Sequence, residues 1–69
     1  MQLREQGLIK RWYMERHFGF IKRAGAQDLF FHLSDVERGA VEIREGSPVE
    51  FEVTADQVGR PRASGVELV

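Results

Sequence analysis

The stretch RHFGFIKRAGAQDLFFHLS, residues 16–34, contains four of the five phenylalanines of this chain and both of its histidines. Its pattern predicts two short strands, Phe18–Lys22 and Leu29–His32, joined by a turn that includes Gly25. Successive side chains of a strand point to opposite faces, and only one face of each strand can line a core. The faces that receive the phenylalanines therefore decide which rings stabilise the fold and which remain available for binding.

Alternation assigns the rings of the first strand to the outside. Ile21 is the natural core residue of this strand, and Gly19 has the same parity, so both are predicted to face inward. Phe18 and Phe20 then share the outer face. A glycine on the inner face relieves crowding or marks a bend of the strand.

The second strand divides its aromatic residues between the two faces. Leu29, Phe31 and Leu33 share one parity and are predicted to be in the core. Phe30 and His32 share the other parity and are predicted to lie on the outer face. Only one of the four phenylalanines in the stretch is therefore expected to be buried.

Length and composition favour one small domain that spans residues 1–69. A chain of 69 residues can bury only a thin core, and without cysteine it has no disulfide or thiolate metal site to reinforce it. The absence of cysteine fits a reducing compartment, and we expect a cytoplasmic protein. The longest apolar runs are far too short to span a bilayer, so no membrane partner is expected.

Basic and aromatic residues are concentrated in the first part of the chain. Residues 1–27 carry a net charge of +4 and residues 28–69 carry −5, within an overall charge of −1. Every aromatic residue except Phe51 lies in the first 31 positions. Interleaved rings and cations are typical of surfaces that bind single-stranded nucleic acid. A solvated basic face beside an ordinary core accounts equally well for the composition alone.

Turn residues recur at short intervals along the chain, as in small all-β barrels. One helical turn is predicted after the third strand, because Ser34 and Glu37 have the spacing of a capping box. In the fourth strand, Val49, Phe51 and Val53 are predicted to face inward. The predicted architecture is an all-β, five-stranded antiparallel Greek-key OB-fold barrel. Its strands are predicted at Leu8–Met14, Phe18–Lys22, Leu29–His32, Val49–Thr54 and Ala63–Val69.

Four segments, in order and at compatible spacing, resemble the cold-shock domain family. Gly7–Ile21 aligns without a gap on that family's Gly-x-Val-Lys-Trp-Phe-Asn-x-x-Lys-Gly-Phe-Gly-Phe-Ile, and Asp28–Ser34 on its Asp-Val-Phe-Val-His-Phe-Ser. Glu45–Val53 is similar to Glu-Gly-x-x-Val-x-Phe-x-Val, and Pro61–Val66 to Pro-x-Ala-x-x-Val. The resemblance implies binding of single-stranded RNA or DNA, with the role of an RNA chaperone or a nucleic-acid-binding regulator.

The resemblance also implies which residues bind. The family's base-stacking positions correspond to Phe18, Phe20, Phe30 and His32, and a basic contact position corresponds to Lys10. The predicted nucleic-acid site comprises Lys10, Arg11, Trp12, Phe18, Phe20, Phe30, His32 and Arg62. No catalytic residue, metal ligand, cofactor or small-molecule substrate is predicted.

Several departures from the family pattern fall in this surface. Arg11 stands where the family has a stacking Trp, although a guanidinium also stacks on bases and pairs with phosphates. Leu33 replaces an aromatic residue, and Ala40 corresponds to a loop position that often holds another. Trp12 either stays half-buried, as the family's phenylalanine does, or reaches the surface through a bulge in the first strand. His17 stands where the family has glycine, so a different loop path is expected.

These departures leave two other functions open. A degenerate barrel with an exposed aromatic patch would serve as a protein-interaction module with weak or no nucleic-acid binding. Catalysis is disfavoured, because the two histidines and the carboxylates show no metal-ligand spacing or nucleophile with its base. The leading hypothesis is a monomer that binds single-stranded, pyrimidine-rich RNA or DNA.

Overall fold

A computed structural model describes residues 4–37 and 43–69 of the chain. Two short 3-10 turns, at Met14–Arg16 and Leu33–Asp35, are the helical elements of this described part. Neither has the length or the apolar character needed to cross a membrane. Ala40, the position of a missing family aromatic, lies outside the described residues. The strands are β1 (Glu5–Tyr13), β2 (Phe18–Lys22), β3 (Leu29–His32), β4 (Pro48–Ala55) and β5 (Pro61–Leu68).

The five strands close into a barrel in the order β1-β2-β3-β5-β4, with β4 pairing back onto β1. This confirms the predicted all-β barrel. Most pairs are antiparallel, but β3 and β5 run parallel where Phe30 pairs with Arg62. An odd number of strands cannot alternate in direction all the way round a closed ring, so one parallel pair is required. The parallel pair places Arg62 of β5 next to Phe30 of β3.

The core fills the interior with apolar side chains from every strand and from the segment before β4. Phe31 and Phe51 are its largest members, and both are fully buried. Trp12, Leu33 and Val36 are partly buried and pack against it. The other buried residues are Ile9, Ile21, Leu29, Ile43, Val49, Ala63 and Val66. The inward positions predicted for Ile21, Leu29, Phe31 and Phe51 are confirmed.

Gly19 is needed on the inner face because Phe31 fills the space beside it. A Cβ placed on Gly19 would clash with the backbone oxygen of Arg11 on the neighbouring strand, and it would lie 2.9 Å from the Cε1 and Cζ atoms of the Phe31 ring. Real Cβ atoms do not approach ring carbons so closely, so any side chain at this position would displace the ring. Of the two predicted roles for this glycine, the structure supports the relief of crowding.

Strand β1 contains a bulge at Lys10. Ile9 pairs with Ile21, but the next pair joins Arg11 to Phe20, so Lys10 is the extra residue. Beyond a bulge the alternation of a strand is shifted by one position. Arg11 therefore points outward, and Trp12 points inward opposite Gly19.

The helical turn after β3 begins two residues earlier than predicted. The backbone N–H of His32 donates to Asp35 Oδ2 at 2.9 Å, and the N–H of Ser34 donates to His32 Nδ1 at 3.1 Å. His32 and Asp35 thus form the reciprocal cap, and the predicted pairing of Ser34 with Glu37 is wrong. A histidine nitrogen can accept the hydrogen bond that a serine hydroxyl normally accepts at a cap, a substitution that the Ser-x-x-Glu pattern does not reveal.

The inward position predicted for Val53 is wrong, and His17 has an unusual backbone conformation. Val53 is 40% exposed because it lies near the end of β4, beyond a register shift between Glu50 and Glu52. His17 adopts a left-handed backbone conformation with φ of 61°. This conformation is the one that glycine adopts most easily, and histidine is among the residues that tolerate it. The first loop therefore closes without a glycine.

Candidate nucleic-acid interface

The outer side of β1, β2 and β3 carries two rows of cross-strand neighbours. In one row, Phe20 pairs with Arg11 on β1 and with Phe30 on β3. In the other, Phe18 pairs with Tyr13 and His32. Residues paired across a sheet project from the same face, so these six side chains form one surface. We call the rings of this surface the aromatic face, which consists of Tyr13, Phe18, Phe20, Phe30 and His32.

The phenyl and phenol rings of the aromatic face touch one another in a continuous patch. Phe18 lies at its centre, with centroid distances of 5.1 Å to Tyr13, 6.0 Å to Phe20 and 5.6 Å to Phe30. Phe20 and Phe30 meet edge to face at 6.0 Å. These separations are typical of favourable aromatic pairs. The rings therefore support one another and keep a half-exposed apolar surface in a defined arrangement.

Tyr13 was not among the predicted site residues, and the structure adds it to the aromatic face. Its side chain is 43% exposed and pairs opposite Phe18. Tyr13 is two positions after Arg11 and therefore lies on the same face of β1. The sequence would have indicated this outward position only if the bulge at Lys10 had been recognised. A tyrosine at this position extends the aromatic face where the family pattern has asparagine.

Trp12 lies apart from the other predicted site residues. Its ring stacks on the buried Phe31 ring, with centroids 5.7 Å apart and planes inclined by 9°. Its backbone N–H donates to Glu45 Oε2 at 3.2 Å. The bulge expected as a route to the surface exists, but the structure shows Trp12 half-buried against the core. The outer surface therefore does not gain a tryptophan in place of the missing family ring.

Each of the three predicted cations forms an ion pair with a carboxylate of the same chain. Lys10 Nζ lies 2.7 Å from Asp28 Oδ2, and Arg11 Nη1 lies 3.9 Å from Glu45 Oε1. Arg62 Nη2 bonds to Asp35 Oδ2. The pairs of Lys10 and Arg11 are exposed, and such pairs contribute little to stability and exchange readily. A phosphate can therefore displace these carboxylates at a small cost.

The three cations surround the aromatic face on different sides. Lys10 and Arg11 border Phe20 on the β1 side, together with Asp28. The Arg62 guanidinium lies over the Phe30 ring, with its central carbon 5.4 Å from the ring centroid. Positive groups therefore flank the rings on the β1 side and on the β5 side.

His32 is held in a defined orientation by the turn that it caps. Its Nδ1 accepts the N–H of Ser34 and also lies 3.1 Å from the Ser34 hydroxyl. In the neutral ring the proton is then on Nε2, which remains as a hydrogen-bond donor. His32 can thus offer both a ring face and a fixed donor to a base.

The loop between β4 and β5 borders the aromatic face near Phe30. Asp56 Oδ1 accepts the backbone N–H groups of Val58 and Arg60 at 3.0 and 2.9 Å, and Oδ2 accepts Arg60 Nε. The backbone hydrogen bond from Arg60 is the main cause that lowers the pKa of Asp56 below 3.8, and it outweighs the opposing effect of desolvation. An ionised Asp56 therefore organises this loop at neutral pH.

Among residues 4–37 and 43–69, no three His, Asp or Glu side chains are placed together to hold a metal ion. His32 and Asp35 are joined through the backbone N–H of His32 and not through the imidazole. The groups that the fold brings together here are rings and paired cations. Aromatic rings and cations of this kind can stack on flat ligands and donate hydrogen bonds to them.

A small closed barrel with an exposed aromatic face and flanking cations on its second and third strands belongs to the class of OB-fold nucleic-acid binders. Residues 5–69 match the model of the 'Cold-shock' DNA-binding domain. The chain is 38% identical over 65 residues to the cold shock proteins CspA of Staphylococcus saprophyticus and Staphylococcus aureus, covering 93% of this chain and 98% of each relative. This chain is a member of the cold-shock domain family, whose members bind nucleic acids.

A solved structure gives the same assignment. The barrel superimposes on the structure of drosophila Unr CSD456 with a TM-score of 0.81 and 32% sequence identity. The match covers 99% of this chain but 27% of the Unr chain. The similarity therefore extends over the whole barrel, which corresponds to about a quarter of that longer chain.

Proposed function

We propose that this chain binds single-stranded RNA or DNA by stacking bases on its aromatic face, as a single domain acting as a monomer. The continuous patch of outward rings on β1, β2 and β3 carries the proposal. Base stacking on aromatic side chains contributes about 1–3 kcal/mol per base and tolerates any base. All of the groups that the mechanism requires come from one chain.

The rings that face outward favour a single strand over a duplex. In a duplex the faces of the bases are covered by their neighbours in the stack, so they cannot lie on Phe18 or Phe20. A single strand can unstack and present its bases one at a time. Small, weakly stacked pyrimidines unstack most easily, and we expect a preference for pyrimidine-rich strands.

Lys10, Arg11 and Arg62 would supply the electrostatic part of binding. If each of the three meets one phosphate, log K should fall with log salt with a slope of about −2, since each contact with a single strand contributes about −0.7. The exposed pairs of Lys10 and Arg11 must open for this contact. Binding is therefore expected to be weaker at low salt than for a surface with free cations.

The ion pairs also support a second candidate function. Because the cations are neutralised by carboxylates, the outer surface is less attractive to phosphate than its sequence suggests. An exposed aromatic patch without free positive charge suits a protein partner. In that case the barrel would be an interaction module with weak or no nucleic-acid binding. Neither function requires a catalytic group.

Titration of fluorescently labelled oligo-dT and oligo-U, followed by anisotropy at several salt concentrations, tests the proposal. We expect saturable binding of both, weak binding of a duplex of the same length, and a salt slope near −2. Leu68→Ala is a matched control, because Leu68 is an exposed apolar residue on β5, outside the aromatic face. Absence of oligonucleotide binding at low salt would refute the proposal and favour the protein-interaction module.

A further inference from the structure

The two cross-strand rows of the outer surface each include one residue of β1, and both of these residues depart from the family pattern. In the row of Phe20, Arg11 stands where the family has a stacking Trp. In the row of Phe18, Tyr13 stands where the family has asparagine. Relative to that pattern, the ring that β1 contributes to the outer surface has moved from one row to the other.

The move displaces the ring along the barrel. Tyr13 is two regularly paired residues after Arg11, which corresponds to about 6.5 Å along the strand. The displacement is toward the Met14–Arg16 turn that joins β1 to β2. At this end of the aromatic face, each of the three strands contributes a ring. We call this set the Tyr13 row, which consists of Tyr13, Phe18 and His32.

Tyr13 is fixed in position and still accessible. Its backbone oxygen accepts the N–H of His17 at 2.9 Å, which ties the end of β1 to the turn. Its ring packs on Phe18, with centroids 5.1 Å apart and planes inclined by 37°. The residue is nevertheless 43% exposed. A ring that is already positioned loses little conformational freedom when a base stacks on it, so less of the binding energy is lost to ordering.

The opposite end of the aromatic face is partly covered by a charged group of the protein itself. The Arg62 guanidinium lies over the Phe30 ring, with its central carbon 5.4 Å from the centroid, and Asp35 binds it there. A base that stacks on this side of Phe30 would first have to displace the guanidinium. Within the part of the chain that the structure describes, no guanidinium lies over the ring of Tyr13 or Phe18. The Tyr13 row is therefore the more open of the two.

We infer that Tyr13 is a base-stacking residue of this chain and that a bound single strand makes its main stacking contacts on the Tyr13 row, next to the β1–β2 turn. This inference rests on the proposed binding of single strands and identifies the part of the aromatic face that contributes most to it. A phenol ring can stack on any base, so the added contact increases affinity without selecting a sequence. His32 completes the row with a ring that its cap holds in place.

Replacement of Tyr13 by the asparagine of the family pattern tests the stacking. Loss of one stacked base corresponds to about a 5- to 150-fold loss of affinity. Because Tyr13 lies at the end of the aromatic face, we expect Tyr13→Asn to weaken the binding of oligo-dT by about 5- to 20-fold. Tyr13→Phe keeps the ring and should bind within about twofold of the wild type. An equal loss in both variants would assign the effect to the hydroxyl group and would overturn the inference.

Leu8→Asn is the matched control for Tyr13→Asn. Leu8 is 48% exposed and lies on the same strand, but it pairs with Lys22 and Pro48, outside the aromatic face. The variant should bind oligo-dT within about twofold of the wild type, and circular dichroism checks that all variants are folded. The inference is wrong if folded Tyr13→Asn binds as the wild type does, or if Leu8→Asn loses as much affinity. In either case, oligo-dT binding by the wild type would still support the proposed function, whereas its absence would refute both.

Photocrosslinking tests the location of the strand without any variant. Oligo-dT strands that carry one 5-iododeoxyuridine, placed at each position in turn, are irradiated in complex with the wild-type protein, and the crosslinked residue is identified by mass spectrometry. Tyr13 is the single tyrosine of the chain, so a crosslink to tyrosine is unambiguous. We expect crosslinks to Tyr13 from at least one label position. Crosslinks confined to Phe20 and Phe30, or none to Tyr13 from any position, would contradict the inference.

Discussion

Phe20 and Phe31 separate the two uses of aromatic residues in this barrel. Phe20 is half-buried on the aromatic face, in edge contact with Phe18 and Phe30 at 6.0 Å each. Phe31 is fully buried and stacks on Trp12. Replacing each by alanine should therefore affect different properties. Phe20→Ala is expected to impair binding, and Phe31→Ala is expected to unfold the protein.

The expected magnitudes follow from these contacts. Truncation of a buried phenylalanine costs about 3–5 kcal/mol, and a domain of this length has a total stability of about 3–10 kcal/mol. Phe31→Ala should thus remove most of the stability. Phe20→Ala loses two edge contacts that contribute about 0.5–1.5 kcal/mol each, and partial exposure reduces this loss to about 1–2 kcal/mol. Loss of one stacked base should weaken binding about 5- to 150-fold.

Urea denaturation followed by circular dichroism measures the stability of both variants, and anisotropy with labelled oligo-dT measures binding. Circular dichroism is the suitable signal, because Phe31→Ala removes the stacking partner of Trp12 and would alter its fluorescence for a separate reason. The assignment of faces is refuted if Phe20→Ala is as destabilising as Phe31→Ala. It is equally refuted if a folded Phe20→Ala variant binds oligo-dT as tightly as the wild type.

Three further outcomes are expected. Glu45→Gln should raise the affinity for oligo-dT about twofold to fivefold at low salt, because it removes the ion pair of Arg11. The glutamine still offers an oxygen that can accept the backbone N–H of Trp12. Unchanged or weaker binding, measured by anisotropy, would contradict this expectation. Oligo-dT should change Trp12 fluorescence only slightly, because the ring packs on the core; strong quenching would place it among the stacked bases. The stability contributed by ionised Asp56 should be complete above pH 3.8 and should be lost as the pH falls through the lowered pKa of this carboxyl. An NMR titration of Asp56 with its midpoint at or above 3.8 would argue against the backbone hydrogen bond from Arg60.

Alternation predicts the faces of β2 and β3 well because these strands are regular. Phe30 and Phe31 are neighbours in the sequence, yet one is outward and the other is fully buried. By the same alternation, Gly19 faces the core and its neighbour Phe18 faces outward. Side chains of a regular strand alternate strictly between its two faces, so one known core residue, such as Ile21, fixes the face of all the other residues in the strand.

Ion pairs between residues that are far apart in the chain could not be predicted from the sequence. Lys10 and Asp28 are 18 positions apart, and Arg62 and Asp35 are 27 apart. Nothing in local composition indicates that these charges meet, because their pairing depends on strand order and on the parallel junction of β3 with β5. The sequence therefore suggested a basic surface where the folded chain has a largely neutralised one.

The bulge at Lys10 determines which side chains of β1 meet the core. Without it, regular pairing would place Arg11 opposite Gly19 and facing Phe31, and would leave Trp12 outward opposite Phe18. Burying an unpaired guanidinium costs several kcal/mol, whereas burying an indole is favourable. One extra residue avoids that cost, because it turns Trp12 inward onto Phe31 and leaves Lys10 and Arg11 exposed. The replacement of the family's stacking Trp by arginine is therefore compatible with the core only in the bulged register.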